Sequence, residues 1–140
     1  MYSNTTDLRL RFAPGFLRAM ADDDGDSSPD EAVMLRAIAD ADGQIDARLS
    51  TRYATPFAGG PPPLVAELSA VLAGANLARR APTAAAAPYR GDFDRARDLL
   101  AMLATGEAEL PGVAPRRRVI ALEGASEEGR VFGPGSIDGY

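Results

Sequence analysis

The sequence predicts an all-α bundle of about four helices over residues 1–110, carrying an extended, partly β-like C-terminal arm over residues 111–140. Three observations carry that prediction. Apolar residues recur at steps of three and four through 34–53, 64–77 and 93–103, the period of a helix with one buried face. Gly and Pro punctuate the chain between those stretches. After residue 110 the pattern changes: Pro111, Gly112, Pro115, Gly124, Gly129, Gly133, Pro134, Gly135 and Gly139 forbid a long helix. Two short β-like runs are left there, 118–122 and 130–132, with too few apolar residues for a core of their own. A chain of 140 residues is one domain's worth, and a core of that size folds without staples.

The elements follow in order. Asn4, Thr5, Thr6 and Asp7 offer capping oxygens before Leu8, Leu10 and Phe12, predicting a short helix from about 7 to 12. Pro14-Gly15 breaks or re-aims it, and Phe16, Leu17 and Met20 give one or two more turns. The acidic loop Asp22 to Ser28 follows. Ser28, Pro29 and Glu31 then form a capping-box pattern, with Asp30 and Glu31 placed to favour the positive end of a helix dipole. The helix so started is the longest and is expected to be the central element. It runs about 29–53, with Met34, Ile38, Ala41, Ile45, Leu49 and Arg52/Tyr53 along one face. Gly43 interrupts it at a cost of about 1 kcal/mol relative to Ala, and either marks a close helix approach or has no role.

Ala58 to Pro63 reads as a rigid connector, more readily than as a polyproline ligand. Leu64, Val65, Leu68, Val71, Leu72 and Ala75 mark a third helix, about 62–79, ended by Ala81-Pro82. Pro88 blocks any simple continuation through the Ala-rich 84–87. Phe93, Ala96, Leu99, Leu100 and Leu103 mark a fourth, about 91–105, with Gly106 as its stop.

Composition narrows the chemistry. There is no Cys, His or Trp, and all fifteen basic residues are Arg. Absent Cys excludes disulfides, thiolate nucleophiles and zinc–thiolate sites. Absent His removes the commonest general base and the Ser-His-Asp triad. Absent Lys removes Schiff-base chemistry and the P-loop lysine. The net charge of −5 disfavours a free-standing nucleic-acid binder. No apolar run approaches the roughly 20 residues of a membrane span. The N-terminus lacks a signal-peptide pattern, so synthesis in the cytoplasm is expected.

The candidate sites are few. A Ca²⁺ loop begun at Asp22 supplies Asp22, Asp24, Asp26 and Asp30 at positions 1, 3, 5 and 9. It places Ser27 where glycine belongs and Val33 where the bidentate Glu belongs. A register two residues back puts Met20 at the first ligand. The reading is therefore a solvated helix-entry loop with no resident metal, those four Asp being the ligands if one were held. Asp40/Asp42 and Asp92/Asp94 are carboxylate pairs, but i and i+2 do not share a helix face. Asp94 and Asp98 do share one, among Arg95 and Arg97. A charged outer surface is the expectation, with no catalytic residue and no cofactor. Arg79-Arg80 suits a helix C-terminus. Arg116-Arg117-Arg118, standing before a β-like run, suits pairing with a partner's carboxylates and the addition of a strand; DNA phosphate is the other ligand for both clusters.

Taken together, certain segments resemble a known family. They are Thr5, Asp7, Leu8, Arg11 and Phe12; the loop Asp22 to Asp26; the stretch Asp30, Glu31, Ala32, Val33, Ala37, Ile38, Asp40, Ala41, Ile45, Asp46, Leu49, Arg52 and Tyr53; and the closing Arg130, Val131, Phe132, Gly133, Ser136, Ile137, Gly139 and Tyr140. The pattern resembles the Mu-like phage neck, or head–tail adaptor (connector), proteins. It departs where relatives often carry D-G-D-G and this chain has Asp24-Gly25-Asp26-Ser27, and again in the third helix, which here ends in Arg79-Arg80 and an Ala/Pro spacer.

The resemblance implies a structural, non-enzymatic subunit of the virion neck, made in the bacterial cytoplasm. It implies a homo-oligomeric ring, expected to be a dodecamer, between the portal protein and the stopper or tail-completion protein. DNA would pass through its channel without sequence-specific binding, and no membrane is involved. Arg116, Arg117, Arg118, Val131, Phe132 and Tyr140 are the expected partner contacts. A tail-completion or terminator protein, and a host interaction module with a degenerate Ca²⁺-binding-like loop, are the alternatives.

Overall fold

The computed structural model describes residues 1–80 and 84–116. Within them the chain forms α1 (Thr5–Arg11), α2 (Pro14–Ala21), α3 (Glu31–Leu49), α4 (Pro63–Arg80) and α5 (Arg90–Thr105). A 3-10 turn, Ala84–Tyr89, runs directly into α5. The all-α expectation holds, with no strand among the described residues. Five helices replace four because Pro14 opens a helix of its own, at a position where its missing N–H costs no intrahelical bond.

The centre is α4, not the longer helix before it. Every residue from Leu68 to Leu77 is buried, and α4 packs against α1, α2, α3 and α5. The physical reason is visible in its composition: no charged residue stands between Glu67 and Arg79. A helix apolar on all sides has to be enclosed on all sides. α3 keeps one stripe for the core, Met34, Ala37, Ile38, Ala41, Ile45 and Leu49, and gives its other faces largely to water.

Small residues on α4 decide how closely its neighbours come. The far end of the Phe12 ring, at the end of α1, comes up against Gly74: a β-carbon built there would stand 2.1 Å from Phe12 Cζ and 2.6 Å from Cε2. Gly43 has nothing within 4 Å of such an atom, so the helix approach that one of its readings allowed occurs at Gly74 instead. Around Phe12 an aromatic cluster closes this end of the bundle. Phe12 and Phe16 stack at 4.9 Å between centroids, and Tyr89 meets each edge-on at 5.0 Å. The Tyr89 hydroxyl accepts the backbone N–H of Ala13 at 2.9 Å. Ala13 is the cap residue of α2 and has no side chain with which to cap it.

The ends of α1 and α3 differ from the sequence expectation. α1 starts at Thr5 rather than residue 7 because Asn4 forms a reciprocal capping box with Asp7. The box expected at Ser28 and Glu31 is absent: α3 starts at Glu31, after Asp30, with no side-chain cap. Glu31 is engaged elsewhere, accepting from Thr5 Oγ1 at 2.8 Å and from Arg9 at 3.2 Å. α3 stops at Leu49 rather than residue 53. Tyr53, fully buried, turns its hydroxyl to accept the N–H of Leu110 at 3.1 Å. α5 ends as expected on Gly106, whose φ of 92° is the left-handed conformation that favours glycine.

Two stability measurements check this architecture. Gly74→Ala is expected to cost about 1–3 kcal/mol despite the better helix propensity of Ala, because the ring of Phe12 has nowhere to go. Combined with Phe12→Leu, which removes the obstructing ring atoms, its cost in urea denaturation should fall well below the sum of the single changes. Asn4→Ala should cost about 1 kcal/mol, whereas Ser28→Ala should stay within about 0.5 kcal/mol.

Candidate functional site

Three groups of polar side chains stand out, and each begins in local helix geometry. The first lies where the N-terminal segment crosses α3 and α4. Asp42 and Asp46 are one turn apart on α3, beside the buried stripe of Ala41, Ile45 and Leu49. Tyr2 binds both, donating its backbone N–H to Asp42 Oδ2 at 2.9 Å and its hydroxyl to Asp46 Oδ1 at 2.5 Å. Asp42 Oδ1 accepts from Ser69 Oγ at 2.6 Å, and Ser69, fully buried, pairs with Ser3 Oγ at 2.7 Å. The Tyr2 hydroxyl also accepts from Phe57 N–H at 3.2 Å.

Each polar atom named in this network is used in holding the fold. The Tyr2 hydroxyl is pushed up from its ordinary 10.0 to about 12, chiefly by burial and next by its bond to Asp46, with the nearby carboxylate charges adding to this. It therefore stays protonated as a donor. The expectation of an outer charged surface fails at Asp42, whose carboxylate turns inward to Tyr2 and Ser69. The signal that could have found it is the Asp42/Asp46 spacing of four next to an apolar stripe.

The second group is the acidic loop. One carboxylate oxygen each from Asp22, Asp24, Asp26 and Asp30 lie within 4.8 Å of one another, so the structure brings the four named candidates together. Such a donor set suits a hard divalent cation. Val33 still stands where a twelfth-position carboxylate would. The oxygens already accept from the loop's own backbone: Asp22 takes the N–H groups of Gly25, Asp26 and Ser27, Asp26 that of Ser28, and Asp30 that of Asp23. Ser27, at φ 65°, takes the left-handed conformation of a sixth-position glycine, a costly one for a residue with a β-carbon. Arg80 ties the loop down, reaching Met20 O at 2.6 Å and Asp23 Oδ2 at 2.7 Å.

The third group is a groove along α4 between α3 and α5, a cavity of about 370 Å³. Leu72, Ala75 and Leu100 lie in its floor, and Arg48, Arg79 and Arg97 stand on its rim, with no carboxylate among its lining residues. Arg97 pairs with Asp94 at 3.4 Å. Arg79 donates to Asn76 Oδ1 at 2.8 Å. Among the described residues, Arg48 and Arg79 have no ion-pair partner. Asn76, buried between the helices, also donates to Ala37 O at 3.1 Å. No feature of the sequence reading singled out this groove; its three Arg come from three helices and meet only in the fold.

Of the expected partner contacts, Arg116 is described. Its N–H donates to Arg52 O at 2.5 Å and its guanidinium to Ser50 O at 3.2 Å, so it rests on carbonyls of the turn that follows α3. Arg117, Arg118, Val131, Phe132 and Tyr140 lie outside the described residues. Asp92 and Asp94 pair with Arg95 and Arg97 on the outer face of α5, as expected. No described helix is long and apolar enough to cross a membrane.

A family model described as Bacteriophage Mu, Gp36 matches residues 2–126, and so takes in all five helices. The closing motif at 130–140 lies beyond the matched range. No curated protein matches the chain.

The Tyr2 network sets a pH dependence. A hydroxyl whose pKa is raised on folding contributes stability that is fully present below about pH 10 and is lost as pH rises toward 12. Tyr2→Phe should cost about 1–2 kcal/mol at pH 8, where Asp46 loses its donor. The fall in unfolding free energy across that alkaline window should be shallower in the variant than in the parent chain.

Proposed function

Because the chain belongs to the bacteriophage Mu Gp36 family, we propose that it is a structural subunit of the phage neck, an adaptor that forms a ring joining the capsid portal to the stopper or tail. The match across residues 2–126 is the observation that carries this reading. The geometry supports it in a second way. The buried polar side chains Ser3, Ser69 and Asn76 are bonded to other parts of the fold, as suits a part whose task is to hold its shape among neighbours. On this reading the protein is not an enzyme and takes no cofactor. Its partners are copies of itself, twelve to a ring, with the portal above and the stopper below.

The mild negative charge suits a channel wall. Guanidinium groups concentrated there would bind the passing genome, whereas a net charge of −5 reduces sticking to phosphate. The arm, residues 111–140, reaches the portal or the next subunit by strand addition and apolar anchoring through Val131, Phe132 and Tyr140.

Light scattering of the purified chain, alone and with the portal protein of the same phage, tests both parts. The full chain is expected to form a ring-sized species on the portal, and deletion of residues 117–140 to weaken portal binding at least tenfold. Binding to the tail tube but not to the portal would make it a tail-completion protein instead. Undiminished binding after the deletion would remove the arm's role.

A further inference from the structure

The chain leaves the described structure beside the arginine-rimmed groove. Arg116 is bonded to Arg52 and Ser50, and Arg52 reaches across to Leu103 O at 3.3 Å, closing one end of the space between α3 and α5. Arg48, in the last turn of α3, precedes Arg52 by four residues, and the bonds from Ser50 N–H to Asp46 O and from Tyr53 N–H to Leu49 O keep the chain turning between them. Arg97 stands six residues before Leu103 on α5, roughly 9 Å along it. The eleven residues from Arg116 to Glu127 span up to about 36 Å when extended. The groove is therefore within easy reach of the segment that follows Arg116.

Charge and hydropathy agree. Between Arg118 and Arg130 every charged residue is acidic: Glu123, Glu127 and Glu128. Ahead of them stands an apolar run, Val119 to Leu122. The groove offers the complement, an apolar floor of Leu72, Ala75 and Leu100 under a rim of Arg48, Arg79 and Arg97. Nucleic acid fits less well: its phosphates would match the rim but leave a concave apolar floor uncovered, whereas a segment carrying both Leu and Glu answers both. Guanidinium groups bind carboxylates through paired N–H donors, and two of the three rim Arg have no carboxylate of their own among the described residues.

We infer that the groove between α3, α4 and α5 seats the chain's own segment after Arg116, with Leu122 on the floor and Glu123, Glu127 and Glu128 against Arg48, Arg79 and Arg97. The seat belongs to the isolated subunit, so the inference stands apart from the neck reading; an arm held there is one that has to leave before it can grip anything else.

The absence of Cys gives a direct experiment on the full chain. A nitroxide attached to Ala47→Cys, on the exposed side of α3 at the groove, is expected to cut the amide signal intensities of residues 119–128 by more than half relative to the reduced label. The loss should disappear in the Arg48→Glu/Arg97→Glu background, since both side chains are exposed and the fold does not need them. It should return when Glu127 and Glu128 are also changed to Arg. No signal loss in the parent chain would overturn the inference. So would a loss that appears only on mixing isotope-labelled, nitroxide-free chains with unlabelled nitroxide-bearing ones, which would make the occupant a second copy. Signals of the three Arg that respond to a short DNA duplex, with no effect on 119–128, would make the groove a phosphate site and also overturn it.

Discussion

A helix with no charge between Glu67 and Arg79 has no face to give to water, and the rest of this molecule is arranged to take water away from it. α3 and α5 cover two sides of α4. The short helices α1 and α2 cover what is left, and the aromatic cluster of Phe12, Phe16, Tyr89 and Phe93 closes one end. Each covering element needs only one apolar stripe, which is why their outer faces carry the charges. Burial of α4 supplies the hydrophobic driving force, and its small residues set the distances at which its neighbours stop. Ser69 and Asn76, the polar side chains buried within α4, are matched by Ser3 and Asp42 and by Ala37 O respectively, so enclosure leaves neither without a partner.

This enclosure explains why much of the fold was legible in the sequence. Apolar periodicity placed the helices, and Gly106 closed α5 as a left-handed cap should. What the sequence concealed were pairings between distant residues. Glu31 looks like half of a capping box with Ser28, three residues away, yet it is bound by Thr5 and Arg9 from another helix. Nothing local marks that competition. Gly43, alone in a helix of larger residues, draws attention as a contact point and touches nothing. Gly74, lost in a run of Ala, Val and Leu, carries the close approach. The centre was misjudged for a related reason: length favours the longer helix, whereas the mark of enclosure on all sides is the absence of charge from 68 to 78.

The candidate sites divide the same way. Proximity in sequence sufficed for the acidic loop, whose four Asp converge as their spacing suggests, although they serve the loop's own N–H groups. The Tyr2 network joins residues 40 and 44 positions apart, and the rim of the groove joins three helices; neither has a local signature. Asp42 and Asp46 stand at the border of the core, where partial burial strengthens a polar contact without the full cost of removing a charge from water, whereas the rim Arg are exposed.

The contact between Phe12 and Gly74 also constrains descent. The two positions cannot change in either order. A side chain can grow at 74 only after the one at 12 has shrunk, because the reverse sequence passes through an overpacked intermediate. A relative bearing Ala or Ser at 74 is expected to carry an aliphatic residue at 12, and with it a differently built aromatic end. The residue at 74 is thus expected to tell which kind of aromatic end a relative has.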